Sequence, residues 1–156
     1  MSRLDEMGNY DFSSKQKTME AIQAECQRQG IGSKEQVAYV LATVEHESAN
    51  TFKPVREAFW LSENWRKQNL RYYPYYGRGY VQITWKANYQ KFSDILGVDL
   101  VGNADKVMDC KIALFILVYG FKMGSFTTKK ITDYINNSQT DFVNARKCIN
   151  GLDKAR

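Results

Sequence analysis

Histidine is nearly absent from this chain of 156 residues: there is one, His46. Cysteine is scarce too, with Cys26, Cys110 and Cys148 forming an odd set that holds no C-x-x-C pair. A disulfide scaffold is thereby excluded, and a Cys/His zinc site lacks ligands. No apolar run is long. The longest, Ile112 to Tyr119, falls far short of the roughly 20 residues that span a bilayer. The opening Met1-Ser2-Arg3-Leu4-Asp5-Glu6 carries no apolar stretch, so no secretory signal is expected. Prolines number two and no linker-like stretch or repeat interrupts the chain, which leads us to expect one domain over residues 1–156.

What is present is ordinary globular usage, 44% hydrophobic and 25% charged, with a net charge of +5 and 13% aromatic residues. Neither excess is spread evenly. Between Ser48 and Phe92 stand eight basic residues against two acids, Glu57 and Glu63, so that this stretch alone carries +6. The same stretch holds 12 of the 21 aromatic residues. Any single ring reads best as core. The neighbouring pairs Tyr72-Tyr73 and Tyr75-Tyr76 cannot all face inward, and a basic, ring-rich segment suits a groove for a polar polymer.

Helical spacing dominates the remainder. Ser13-x-x-Gln16 predicts a capping box ahead of Met19, Ile22 and Cys26, with Gly30 as the stop. Ser33-x-x-Gln36 predicts a second box opening a helix through Val37, Val40, Leu41 and Val44, ending near Ala49 to Thr51 before Pro54. A short helix is expected at Leu61 to Lys67, a strand at Tyr80 to Thr84 after the turn glycines Gly77 and Gly79, and a helix at Ala87 to Leu96. Asn103 is expected to cap a long helix, Ala104 to Met123, apolar on every side from Ile112 to Val118 and hence central in the core. Two more helices are expected at Lys129 to Asn136 and Ser138 to Ile149. The fold class is therefore mainly α, a helical bundle around a buried central helix with a small β-hairpin or sheet beside it.

On a helical wheel the stripe Val37/Val40/Leu41/Val44 is flanked by Glu45 and Glu47, and His46 points to the opposite face. Glu47 lies beside Val40 in the last turn. The apolar border and the negative end of the helix dipole both disfavour an ionised carboxylate there, which is what a general acid needs. On the wheel alone a surface glutamate is the default. Hydrolysis of a glycoside with inversion needs a second carboxylate about 6.5–9.5 Å away. Glu57, ten residues on, and Glu63 both compete for that position.

His46-Glu47-Ser48, followed by Tyr75-Tyr76-Gly77-Arg78-Gly79-Tyr80-Val81-Gln82-Ile83-Thr84 and Asn88-Tyr89, resembles glycoside hydrolase family 19. This is the chitinase-like branch of the lysozyme superfamily, and the match is to its compact bacteriophage endolysin type. The resemblance implies a lysozyme-like α+β fold with the general acid at Glu47, the base at Glu57 (the phage-type spacing) and Thr84 holding the attacking water. Gln82 and Asn88 match sugar-binding positions, Tyr75 a ring lining the groove, and Asn150 a further sugar contact. Gly97 to Asn103 and Cys148-Ile149-Asn150-Gly151 extend the similarity from about Gln36 to Lys154. The cystines and chitin-binding module of plant members are absent, Ala104 stands where proline is common, and relatives continue beyond Arg156 with another helix.

The expected function is that of an endolysin cutting β-1,4 bonds of peptidoglycan by an inverting acid/base mechanism, with no cofactor. A chitinase is the alternative, and a non-catalytic wall-binding or single-stranded nucleic-acid-binding module the alternative of another class. The partners implied are glycan strands, with electrostatic contact to an anionic bacterial surface and no nucleic acid. The chain is expected to be a monomer, made in the host bacterial cytoplasm and released to the wall through a holin-type pore. Several residues carry plainer readings: Arg78 pairs with a buried carboxylate to hold the hairpin, His46 sits at the surface, and the three thiols are core.

Overall fold

The computed structural model describes residues 3–125, 130–136 and 138–145. Six α-helices run in order with one short ribbon: α1 Lys15–Gln29, α2 Lys34–Glu47, β1 Val55–Arg56, α3 Glu63–Asn69, β2 Arg78–Gly79, α4 Lys86–Leu96, α5 Cys110–Met123 and α6 Phe142–Ala145. Helix α5 is the centre, buried without a break from Ile112 to Val118, and it packs on α1, β2 and the 3-10 turn Ala104–Met108. This is the mainly α class that the periodicity predicts, with the small sheet of the lysozyme-like α+β fold that the resemblance implies. Among the described residues no helix is long and apolar enough to cross a membrane.

Local chemistry accounts for most boundaries, and for the departures from expectation. Ser33 and Gln36 form the reciprocal box on α2, but α1 starts one residue late. Its N-cap is Ser14, because the Ser13 N–H is taken by the Asp11 carboxylate at 2.8 Å. The long helix from Ala104 does not form. Asp109 is extended, and its side chain accepts from the N–H groups of Lys111 and Ile112, so α5 begins on its own cap. Tyr80 to Thr84 is no strand either. Tyr80, Val81 and Ile83 are all buried, so one-sided alternation fails, and Gln82 turns the chain at φ 61 to bring Ile83 back against Arg78. The helix expected over Lys129 to Asn136 is a 3-10 turn, Ile131–Asp133. There the Asn136 side chain accepts from the N–H groups of Ser138 and Gln139 and closes a turn instead. Helix α6 is capped by Asp141 rather than Ser138, and the remainder of that expected helix, with Cys148 and Asn150, lies outside the described residues.

A carboxylate sits in the core unannounced by any motif. Glu25 of α1 is fully buried, bound by Arg28 at 2.7 and 2.8 Å, Gln29 at 2.6 Å and the Tyr10 hydroxyl at 2.8 Å. Burial alone would raise its pKa, yet these hydrogen bonds outweigh burial and hold it below the ordinary value. The contribution to stability is therefore present above the unfolded carboxylate value of about 4.3 and lost as pH falls through the lower folded value. Glu25→Gln is expected to lower the urea midpoint at pH 7, and the gap to the parent should narrow steadily below about pH 4. A constant gap across pH 7 to 3 would remove this role from Glu25.

Candidate active site

The site is built on the two-stranded ribbon. Val55 pairs with Gly79 and Arg56 with Arg78. The pairing continues one step further, where the Glu57 N–H donates to the Gly77 carbonyl at 2.7 Å. The Gly77 N–H in turn donates to the Glu57 Oε1 at 2.9 Å, and the Tyr72 hydroxyl donates to Oε2. Both oxygens of Glu57 are thus oriented by donors. Burial, then the bond to Glu57, pushes the Tyr72 phenol up to about 12, so it stays a donor at any working pH. Beneath the loop, Arg66 is buried and its Nε donates to the Glu57 carbonyl at 2.9 Å.

Glu63, the competing second carboxylate, stands in the first turn of α3 with half its side chain exposed. It accepts from the Tyr73 and Tyr76 hydroxyls, both at 2.9 Å, and lies 3.4 Å from Arg66. It braces α3 to the tyrosine segment, whereas Glu57 lies on the ribbon itself.

Gln82, Thr84 and Asn88 are brought together: they line one pocket of about 130 Å³ with Val81, Ile83, Phe92 and Ser125. Gln82 also ties the ribbon, its amide donating to the Val55 carbonyl at 2.5 Å. A Cβ on Gly77 would meet Gln82 Oε1 at 2.7 Å and Cβ at 3.1 Å, so a larger residue there would displace the Gln82 side chain. Asn88, which lines the pocket, donates from its side-chain amide to the Thr84 carbonyl at 2.7 Å. Tyr75 is half-buried, its hydroxyl donating to the Val101 carbonyl at 3.1 Å and its ring 5.3 Å from the buried Tyr89. Its ring packs on the core. Asn150 is outside the described residues.

Glu47 is the last residue of α2 and half-buried. Among the described residues no side chain hydrogen-bonds to it or pairs with it. The helix ends there, rather than at Ala49 to Thr51, because of the next residue. The buried Ser48 hydroxyl donates to the Val44 carbonyl at 2.5 Å and accepts from the Phe52 N–H at 3.0 Å. Ala49, Asn50 and Phe52 all have φ above +50, which turns the chain sharply toward β1. The serine of His46-Glu47-Ser48 is therefore a clamp that stops the helix at Glu47. His46 is exposed.

Arg78 is buried and holds the ribbon, though through a half-exposed partner and not a buried one. Its guanidinium lies 3.8 Å from the Tyr76 ring centre, donates to the Pro74 carbonyl at 2.8 Å and to the Tyr89 hydroxyl at 2.9 Å, and reaches Asp105 at 3.1 Å. Arg56, directly opposite on β1, reaches the same carboxylate oxygen at 2.6 Å. The hydrogen bond from Arg56, with both arginine charges, holds Asp105 below its ordinary value against some burial. Tyr72, Arg66, Arg56 and Asp105 were not visible as site residues from the sequence. Only Arg66 had a signal, three residues after Glu63 on a short helix.

In architecture the chain is similar to two solved structures. Chitinase C from Streptomyces griseus HUT6037 aligns at a TM-score of 0.60 and 21% identity, over 95% of this chain and 62% of that one. A bacterial family 19 chitinase aligns at 0.52 and 19%, over 97% of this chain and 78% of that one. The class that fold and site define is thus lysozyme-like, with a carboxylate-bearing ribbon beside a polar pocket. In sequence, residues 52–147 match the profile of glycoside hydrolase family 19, described as chitinase class I. The chain belongs to that family.

The matched span takes in Glu57, Glu63, Gln82, Thr84 and Asn88, and begins after Glu47. Chitinase 11 of rice (Oryza sativa subsp. japonica) is 43% identical over 68 residues, and Chitinase 8 of rice is 46% identical over 50. These alignments cover 43% and 32% of this chain but only 27% and 19% of the rice proteins.

Proposed function

We propose that the chain hydrolyses β-1,4 bonds between N-acetylated aminosugars of a chitin-type polymer, with inversion. Glu47 protonates the leaving glycosidic oxygen, Glu57 takes a proton from water, and Thr84 helps hold that water as it attacks the anomeric carbon. The observation that carries this reading is the family match spanning a ribbon on which Glu57, through Gly77, adjoins the Gln82–Thr84–Asn88 pocket. Glu57 is preferred to Glu63 as base because it stands on the ribbon that adjoins the pocket, whereas Glu63 stands on α3 and braces it to the tyrosine segment.

Chitin replaces the peptidoglycan expected from the endolysin resemblance, because the named relatives in sequence and fold are chitinases. The net +6 between Ser48 and Phe92 supports the second reading, since anionic wall polymers would be drawn to it. Release of reducing ends from N-acetylchitohexaose, set against release from purified peptidoglycan, separates the two. Turnover of chitin oligomers alone is the expected result. Turnover of peptidoglycan alone would restore the endolysin, and turnover of neither would leave only a binding module.

A further inference from the structure

Trp85 is an anomaly in the fold. It is a bulky residue at φ 75, ψ 142, in a region that costs a non-glycine residue on the order of 1–3 kcal/mol. Yet its indole is 47% exposed, so the fold recovers little by burying it. The backbone around it is locked. Its N–H donates to the Tyr75 carbonyl at 2.9 Å, and its carbonyl accepts from the N–H groups of Asn88 and Tyr89 at 3.1 and 3.3 Å. Its ring centre is 4.9 Å from that of Tyr72, and the Arg71 guanidinium lies 5.4 Å from the indole. Tyr72 is the residue whose hydroxyl binds Glu57. Trp85 therefore directly follows Thr84 of the polar pocket and packs on the group that orients the carboxylate.

We propose that Trp85 is a stacking site for a pyranose ring of the glycan and that Tyr72, against which it packs, is a positioning residue for Glu57, so that a sugar seated on Trp85 steadies the Tyr72–Glu57 hydrogen bond. The inference rests on Glu57 being the base of a glycan hydrolase. An exposed indole offers a flat apolar face to the axial C–H groups of a pyranose, while the sugar's hydroxyl and acetamido rim needs polar partners. Thr84, the preceding residue, lines the polar pocket with Gln82 and Asn88 and offers such partners.

The test uses the full chain and N-acetylchitotetraose. Tyr72→Phe keeps the ring but removes the donor, and kcat is expected to fall about tenfold with KM within about twofold. Trp85→Ala is expected to raise KM about tenfold, and with Tyr72→Phe its effects should fall short of multiplying, as coupled neighbours do.

An independent reading comes from fluorescence. In a Trp60→Phe/Trp65→Phe background Trp85 is the sole tryptophan of the three, and its emission should change as the tetramer binds to a Glu57→Gln form that does not turn it over. Emission that stays fixed while calorimetry records binding, absence of binding, or a Tyr72→Phe enzyme with the parent's kcat would each overturn the inference. If Glu57→Gln itself retains full turnover, it is the assignment of the base that fails.

Discussion

Glu47→Gln is expected to lower kcat on chitin oligomers by about 10²–10⁴-fold, the range spanned by general acid–base catalysis, with KM close to that of the parent. Glutamine keeps the shape of the side chain and cannot donate the proton. Because no described residue hydrogen-bonds to or pairs with Glu47, the thermal midpoint should not move, and loss of activity then reports chemistry alone. Glu57→Gln is expected to cost as much activity but also some stability, since it disturbs the bonds from Gly77 and Tyr72. Glu63→Gln should do the reverse: loosen the Tyr73–Tyr76–Arg66 brace and leave most of the turnover. Steady-state rates and melting curves for the three variants check the assignment. Unchanged turnover in Glu47→Gln refutes Glu47 as the acid, and the opposite ranking of the other two moves the base to Glu63.

Arg78→Met should destabilise the protein by about 3 kcal/mol, read as the shift in urea midpoint at constant slope. The Pro74 carbonyl and the Tyr89 hydroxyl both lose a charged donor, and a hydrogen bond to a charged group contributes roughly 1.5–3 kcal/mol. Contact with the Tyr76 ring face is weakened as well. The Asp105 end of the ion pair is 61% exposed, so its loss adds little. Asp105→Asn should accordingly cost no more than about 1 kcal/mol, most of it from leaving Arg56 and Arg78 opposed across the ribbon. Arg78→Lys should recover only part of the loss, because an ammonium cannot stack flat on Tyr76 while donating to three partners. A change below about 1 kcal/mol in Arg78→Met would show that Arg78 is not the strut of the ribbon.

Much of the helical framework could be read before folding was considered. The box of Ser33 and Gln36, the stop at Gly30 and the all-round apolar run of Ile112 to Val118 each act within a few residues, so the string of residues suffices. The misreadings fall where a side chain competes with the backbone. Asp109 recaps α5, Asn136 closes a turn, and Ser48 ends α2 two residues early. Each is a short polar group satisfying main-chain donors or acceptors in a non-helical geometry, which periodicity does not register. Tyr80 to Thr84 misled for another reason: its β-forming residues are all drawn into the core, and the pairing passes to Arg78 and Gly79.

The site divides along the same line. Ring-rich, basic character between Ser48 and Phe92 and the Glu47 to Thr84 motifs are properties of the chain, and they were enough to name the family. Which rings face solvent was not. Tyr76, Tyr80 and Tyr89 are sealed in the core, while Phe59, Trp60 and Trp85 stand exposed. Composition counts aromatic residues without direction, and only packing against α5 and the ribbon assigns one. Equally, the lone histidine, the scarce cysteines and the want of a long apolar run are properties of the chain, legible with no coordinates. The surroundings of Glu57 and Glu63 needed the tertiary structure. Both acids lie within reach along the chain, and what separates them is which hydroxyls, amides and guanidinium the fold brings to their oxygens.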